Sequence, residues 1–259
     1  MHFRAHLPRL AGFAAASVVF AVVAVWAKPP EGFPPLEQMT PAALGPHEPE
    51  LDLPFPGPAL TRSIPRGTAR VAVLVDADGK PVDFLVTAAS DPSFGDALLV
   101  DLKRRSFQAE KLNGVAVPGR ADIAYSFEAP SSGMVATDAA ANLSRLGREA
   151  AGLSAQPEDK LDRDLEFTAA SLPLLPPQFA ALAKSGKVRA YVTFFVDPQG
   201  HVRIPQVEST PAPELVADAI RVVQKWTFKA PTIKGKPALV YAGRPVRFLT
   251  EADARAMSK

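Results

Sequence analysis

Few residues in this chain have both the type and the spacing to do chemistry. Asp76-x-Asp78-Gly79 sets two carboxylates as the opening of a calcium loop does, but the later ligands and the closing glutamate are missing. A tight hairpin turn is the better reading, with Gly79 free to take a positive φ. The histidines His2, His6, His47 and His201 have no metal-ligand spacing, and His201 follows a turn where solvation is expected. Glu158/Asp159 and Asp162/Asp164 pair carboxylates within a polar stretch and read as a solvated charge run. No Gly-x-Ser-x-Gly elbow, phosphate-binding loop or dinucleotide fingerprint occurs. Cysteine is absent, which removes disulfides, thiolate sites, a cysteine nucleophile and a lipoprotein anchor. An enzyme or metal binder has no positive support, so no catalytic, cofactor or metal residue is assigned and no cofactor is expected. A net charge of +2 with no long basic run argues against nucleic acid as a partner.

The elements that would position a site occur twice. Val71, Val73, Val75, Asp76 and Gly79 answer to Val192, Phe194, Val196, Asp197 and Gly200, each pair 121 positions apart. Phe107, Ala109, Gly114 and Phe127 answer to Phe228, Ala230, Gly235 and Phe248 at the same offset. In the first copy, Val71–Val75 alternates as a strand, turns at Gly79 and returns through Val82, Phe84 and Val86. Asp91-Pro92 opens a helix with a cap and a first-turn proline, and Phe94, Leu98 and Leu102 make its buried stripe. A third strand is expected from Val115 to Phe127. In the second copy a short helix spans Phe179 to Lys184, and strands run from Val188 to Val196 and through Val202, Ile204 and Gln206. A helix from Pro213 to Trp226 and a strand from Ala238 to Phe248 follow, and Trp226 is expected in the core. Thr250 can cap a short helix that runs through Met257.

The expected fold class is therefore α+β: two tandem β-β-α-β domains, each a three-stranded antiparallel sheet plus a helix. An apolar helix and a Pro-rich linker precede them. Residues 1–27 are an anchor or signal segment. Arg4 and Arg9 precede an apolar run of about 18 residues, from Leu10 to Ala27, and predict an exported remainder. A retained anchor is favoured over cleavage at Val25-Trp26-Ala27. Residues 28–61 form the linker, expected to be extended polyproline with little packing and a reach of at most about 110 Å. The repeats occupy 62–128 and 172–249, an Ala-rich connector with a helix at 137–151 occupies 129–171, and a helical tail occupies 250–259.

The second copy resembles a TonB carboxy-terminal domain. The ordered set is Leu175-Pro176, Gly186-Lys187-Val188, Val192-x-Phe194-x-Val196-Asp197-x-x-Gly200-x-Val202, Val207-Glu208-Ser209-Thr210, Lys225-Trp226-x-Phe228-x-Ala230-Pro231, Gly235-Lys236-Pro237 and Val246-Arg247-Phe248. The first copy is a degenerate version, with Arg105 in place of Trp226 and Glu110 in place of Pro231. The resemblance implies a periplasmic energy transducer held in the inner membrane by one helix, beside ExbB and ExbD. It also implies a TonB-dependent outer-membrane receptor whose peptide joins the sheet by strand addition. The receiving edge implied is Leu239, Val240, Tyr241, Ala242, Gly243 and Arg244, with Gln178 nearby. Three departures stand out: the apolar run has no histidine, the linker is short, and there are two domains. The alternative is a periplasmic interaction module whose repeats pair through their edges as an internal pseudo-dimer, without energy coupling.

Overall fold

A computed structural model describes residues 29–33, 36–130, 153–184 and 188–257. The apolar run before residue 28 and the helix expected at 137–151 lie outside the described residues. No helix among the described residues is long and apolar enough to cross a membrane. The fold is α+β, mostly strands with few helices.

Alternating apolar residues build the first sheet. Strand β1 (Arg66–Val75) pairs antiparallel with β2 (Pro81–Ala89), and helix α1 (Pro92–Leu102) follows. Asp91 caps α1 by accepting from the Ser93 amide, with Pro92 at the first helical position. Val71, Val73 and Val75 pack against Phe94, Leu98 and Leu102 of α1. The expected third strand breaks at Pro118, which has no N–H for a ladder: Val115–Val117 closes a short hairpin, and β3 (Gly119–Glu128) alone pairs with β1.

The connector then supplies two strands of two residues, β4 (Leu153–Ser154) and β5 (Gln156–Pro157). β4 adds to β2, so the first sheet has the order β3-β1-β2-β4. The second sheet contains β6 (Arg189–Val196), β7 (Val202–Ser209) and, after helix α2 (Val216–Val223), β8 (Val240–Arg247). Its order is β5-β8-β6-β7, with β5 parallel to β8. Each sheet thus has four strands rather than the three expected, because each borrows one from the connector.

The second helix is shorter than its apolar stripe suggests. A 3-10 turn at Pro213–Leu215 leads into it, and i−3 bonds from Lys225 and Trp226 tighten its end. The expected helix at 179–184 is a 3-10 turn, Pro177–Phe179, followed by Ala180–Lys184. Thr250 and Asp253 cap each other at the start of helix α3 (Glu251–Met257).

The 121-residue offset is visible in the backbone. Asp76 Oδ1 accepts from the amides of Asp78 and Lys80; Asp197 Oδ1 accepts from those of Gln199 and His201. Gly79 and Gly200 hold φ of 82° and 92°, each turn lying against the backbone of Phe107 or Phe228. The ladder slips between Arg70 and Val71, and again between Tyr191 and Val192, at equivalent positions.

The proline-rich segment is not a free tether. Met39–Thr40 pairs with Lys111–Leu112, and Ala43–Leu44 pairs with Phe107–Gln108. Ala42, Leu51 and Ala59 are buried in the first core, and Gly57–Thr61 is a helical turn. Proline denies long ladders and long helices, but it leaves apolar neighbours free to pack. Arg105, in the place of Trp226, donates to Pro49 O at 2.7 Å and lies 3.6 Å from the Glu48 carboxylate. Trp226 is buried as expected, and its Nε1 donates to Ser171 O at 2.7 Å. Each repeat therefore holds the segment that precedes it through the same position.

The two repeats meet through sheet faces rather than sheet edges. Ala72 and Leu74, on the side of β1 turned away from α1, join the core of the second repeat. β7 touches β2, β1 and β3. Arg203 clasps Asp83, with Nε to Oδ2 at 2.7 Å, and also donates to Phe84 O at 3.0 Å. Gln206 Oε1 accepts from the Arg120 amide at 2.7 Å, and its Nε2 donates to the Glu110 carboxylate at 2.9 and 3.1 Å. Both faces of β6 are consequently covered. Phe194 packs against Trp226 and Phe228, while Phe195 packs against Tyr241, with the Arg120 guanidinium over both rings.

Candidate functional site

The implied peptide-receiving edge is the outer side of β8. Its inner side is fully paired with β6, from Val240 opposite Val196 to Arg247 opposite Arg189. Leu239, Val240, Tyr241 and Ala242 are buried, and Gly243 and Arg244 are half-buried. Gly243 is required by its neighbour, since a Cβ there would stand 2.4 Å from the Tyr191 hydroxyl. Tyr191 in turn packs against Phe33 of the proline-rich segment, the tilted rings 5.4 Å apart, and Arg189 lies over the Phe33 ring.

Gln178 sits exposed in the turn Pro177–Phe179. That turn follows a parallel bridge between Leu174 and Leu249, which fixes its distance from the far end of β8. No hydrogen bond joins Gln178 to residues 239–244 among the described residues.

The edge already has an occupant over its first residues. Gln156 and Pro157 lie opposite Val240 and Tyr241, and the Gln156 amide donates to Leu239 O at 2.9 Å. Glu158 forms a two-pronged ion pair with Arg244, with Oε2 at 2.7 Å from Nη1. Burial works against the Arg244 charge, but the Glu158 hydrogen bond and charge outweigh it and raise its pKa. Glu158, expected in a solvated charge run, is therefore paired at the edge itself. Residue type could not reveal this, since the pairing spans 86 positions.

Behind the edge lies a polar cluster between the repeats. Burial pushes Tyr241 up to about 12, against the pull of the Arg120 charge. Burial likewise pushes Glu110 up to about 7; Gln206 and Arg120 oppose the rise, and Glu208 adds to it. Thr193 Oγ1 donates to Glu208 at 2.8 Å, and Arg120 pairs with Asp122 at 2.9 Å. Composition gave no signal for this cluster. The one hint is that Glu110 replaces a proline of the second copy. The cluster holds the repeats together and offers no group of three or more ligands for a metal among the described residues. The Asp76 carboxylate is spent on backbone amides, which accounts for the calcium-like spacing without an ion.

Residues 172–250 match the family model described as Gram-negative bacterial TonB protein C-terminal. The TonB resemblance is thereby shown for the second repeat, which is under a third of the chain. The family's domain is a non-enzymatic, periplasmic one that serves energy transduction and transport. No curated protein and no solved structure matches the chain.

Proposed function

We propose that this chain is a TonB-like energy transducer whose second repeat takes a peptide from a TonB-dependent outer-membrane receptor by strand addition to β8. The family match over 172–250 carries the reading. β8 ends its antiparallel ladder at an edge whose only strand partner among the described residues is the two residues of β5, so little backbone pairing stands against a longer peptide. The apolar run 10–27 is the inner-membrane anchor, and ExbB and ExbD are the partners there. Affinity capture of the full chain from a detergent extract of its own membranes tests the assignment. Co-purification of an outer-membrane receptor with ExbB or ExbD is expected; recovery of neither ends the reading.

A second reading, an interaction module without energy coupling, draws support from the contact between the repeats. The Arg203–Asp83 clasp and the Gln206–Glu110 bond make the two sheets one unit. In that case receptor-dependent uptake would be unchanged in cells lacking the protein.

A further inference from the structure

Alternation along β8 turns the backbone groups of Leu239, Tyr241, Gly243, Pro245 and Arg247 outward, with Leu249 continuing the row. Most of them are engaged within the chain. Leu239 O accepts from Gln156 at 2.9 Å, and Tyr241 lies opposite Pro157. Gly243 O accepts from Arg244 Nη1 at 2.9 Å, and Pro245 has no amide hydrogen. Leu249 donates to Pro173 O at 2.9 Å and accepts from Leu175 at 2.8 Å. Among the described residues, the Gly243 amide, the Pro245 carbonyl and the Arg247 backbone remain, too few to seat a strand.

The occupant is itself held from the other side. Leu153–Ser154 pairs with Ala88–Ala89 of β2, and the Ala155 amide donates to Thr87 O at 2.7 Å. Five consecutive residues thus stitch an edge of the first sheet to the edge of the second. Their grip on β8 is small: the pairing covers two residues, and the Glu158–Arg244 pair is partly open to water, with side chains 30% and 24% exposed.

We propose that residues 156–158 are a built-in occupant of the β8 edge. A partner peptide enters only by replacing them, as an extended segment parallel to β8 that brings a carboxylate to Arg244. The first repeat holds this occupant in place, which gives the degenerate copy a regulatory task. The proposal rests on the reading of β8 as the receiving edge.

The test uses the full chain and a labelled synthetic peptide with the sequence of residues 153–159. Glu158→Ala is expected to speed exchange of the Tyr241 amide and to tighten peptide binding, each by roughly tenfold, since the tethered competitor loses its charge contact. A peptide that itself carries Glu158→Gln should bind both chains more weakly, since it brings no carboxylate to Arg244. Equal exchange and equal binding in the wild type and Glu158→Ala would overturn the proposal. A receptor peptide that fails to compete with a bound 153–159 peptide would count against the receptor reading alone.

Discussion

Glutamine at position 110 should stabilise the chain above neutral pH and change little in acid. Glu110 is buried between the repeats, its carboxylate facing Gln206 Nε2 with Glu208 and Arg120 nearby, and its pKa stands at about 7 against 4.5 for a free glutamate. The folded state therefore keeps this proton to higher pH than the unfolded chain does. Between pH 4.5 and about 7 the folded state binds more protons, so stability falls as pH rises through that window. The difference corresponds to about 3 kcal/mol once the carboxyl has ionised in both states. Glu110→Gln keeps an oxygen to accept from Gln206 and cannot ionise, so this slope disappears. Urea unfolding of wild type and Glu110→Gln at pH 5, 6, 7 and 8 checks it, because the other titrating groups cancel in the difference. The variant should gain roughly 2–3 kcal/mol on the wild type across the series. Parallel curves would refute the reasoning and remove Glu110 as the charge that the interface leaves poorly compensated.

Gly200→Ala should cost more than about 2 kcal/mol in thermal or urea unfolding, because φ is 92° and the new Cβ would lie 2.1 Å from Phe228 O. Gly235→Ala, also at positive φ but in open space, should cost only about 1 kcal/mol. Removing the Arg203–Asp83 clasp should show a coupling of about 1 kcal/mol in a double-mutant cycle measured by urea unfolding, with both side chains roughly 30% exposed. Trp226→Phe should cost about 1–2 kcal/mol in the same assay, since Ser171 O loses its donor.

Much of the fold was legible where one local cause decides the structure. The Asp-x-x-Gly turns, the Asp91-Pro92 cap and the Thr250 cap each follow from residue type and backbone geometry. The face-to-face contact of the sheets was written more faintly. Val192–Val196 is apolar or uncharged at every position, the signature of a strand covered on both sides, yet alternation alone assigns it one buried face. The packing of the proline-rich segment was hidden by its composition, although Pro56 and Ala59 keep the 121-residue offset to Pro177 and Ala180. Residues 153–157 were the least legible. Two strands of two residues carry no period, and their partners lie 64 to 66 and 84 positions away, at Ala88–Ala89 and Val240–Tyr241. The implied receiving residues are contiguous on one strand, but that their edge is occupied depends on this distant segment.

The central claim, that β8 receives a receptor's peptide, is tested most directly by titrating the Glu158→Ala chain with a TonB-box peptide while following backbone amide signals. Shifts concentrated at Tyr241, Gly243 and Arg247, with release of the Gln156 amide, are the predicted result. Saturating peptide that leaves 239–247 unmoved in this opened chain would contradict it.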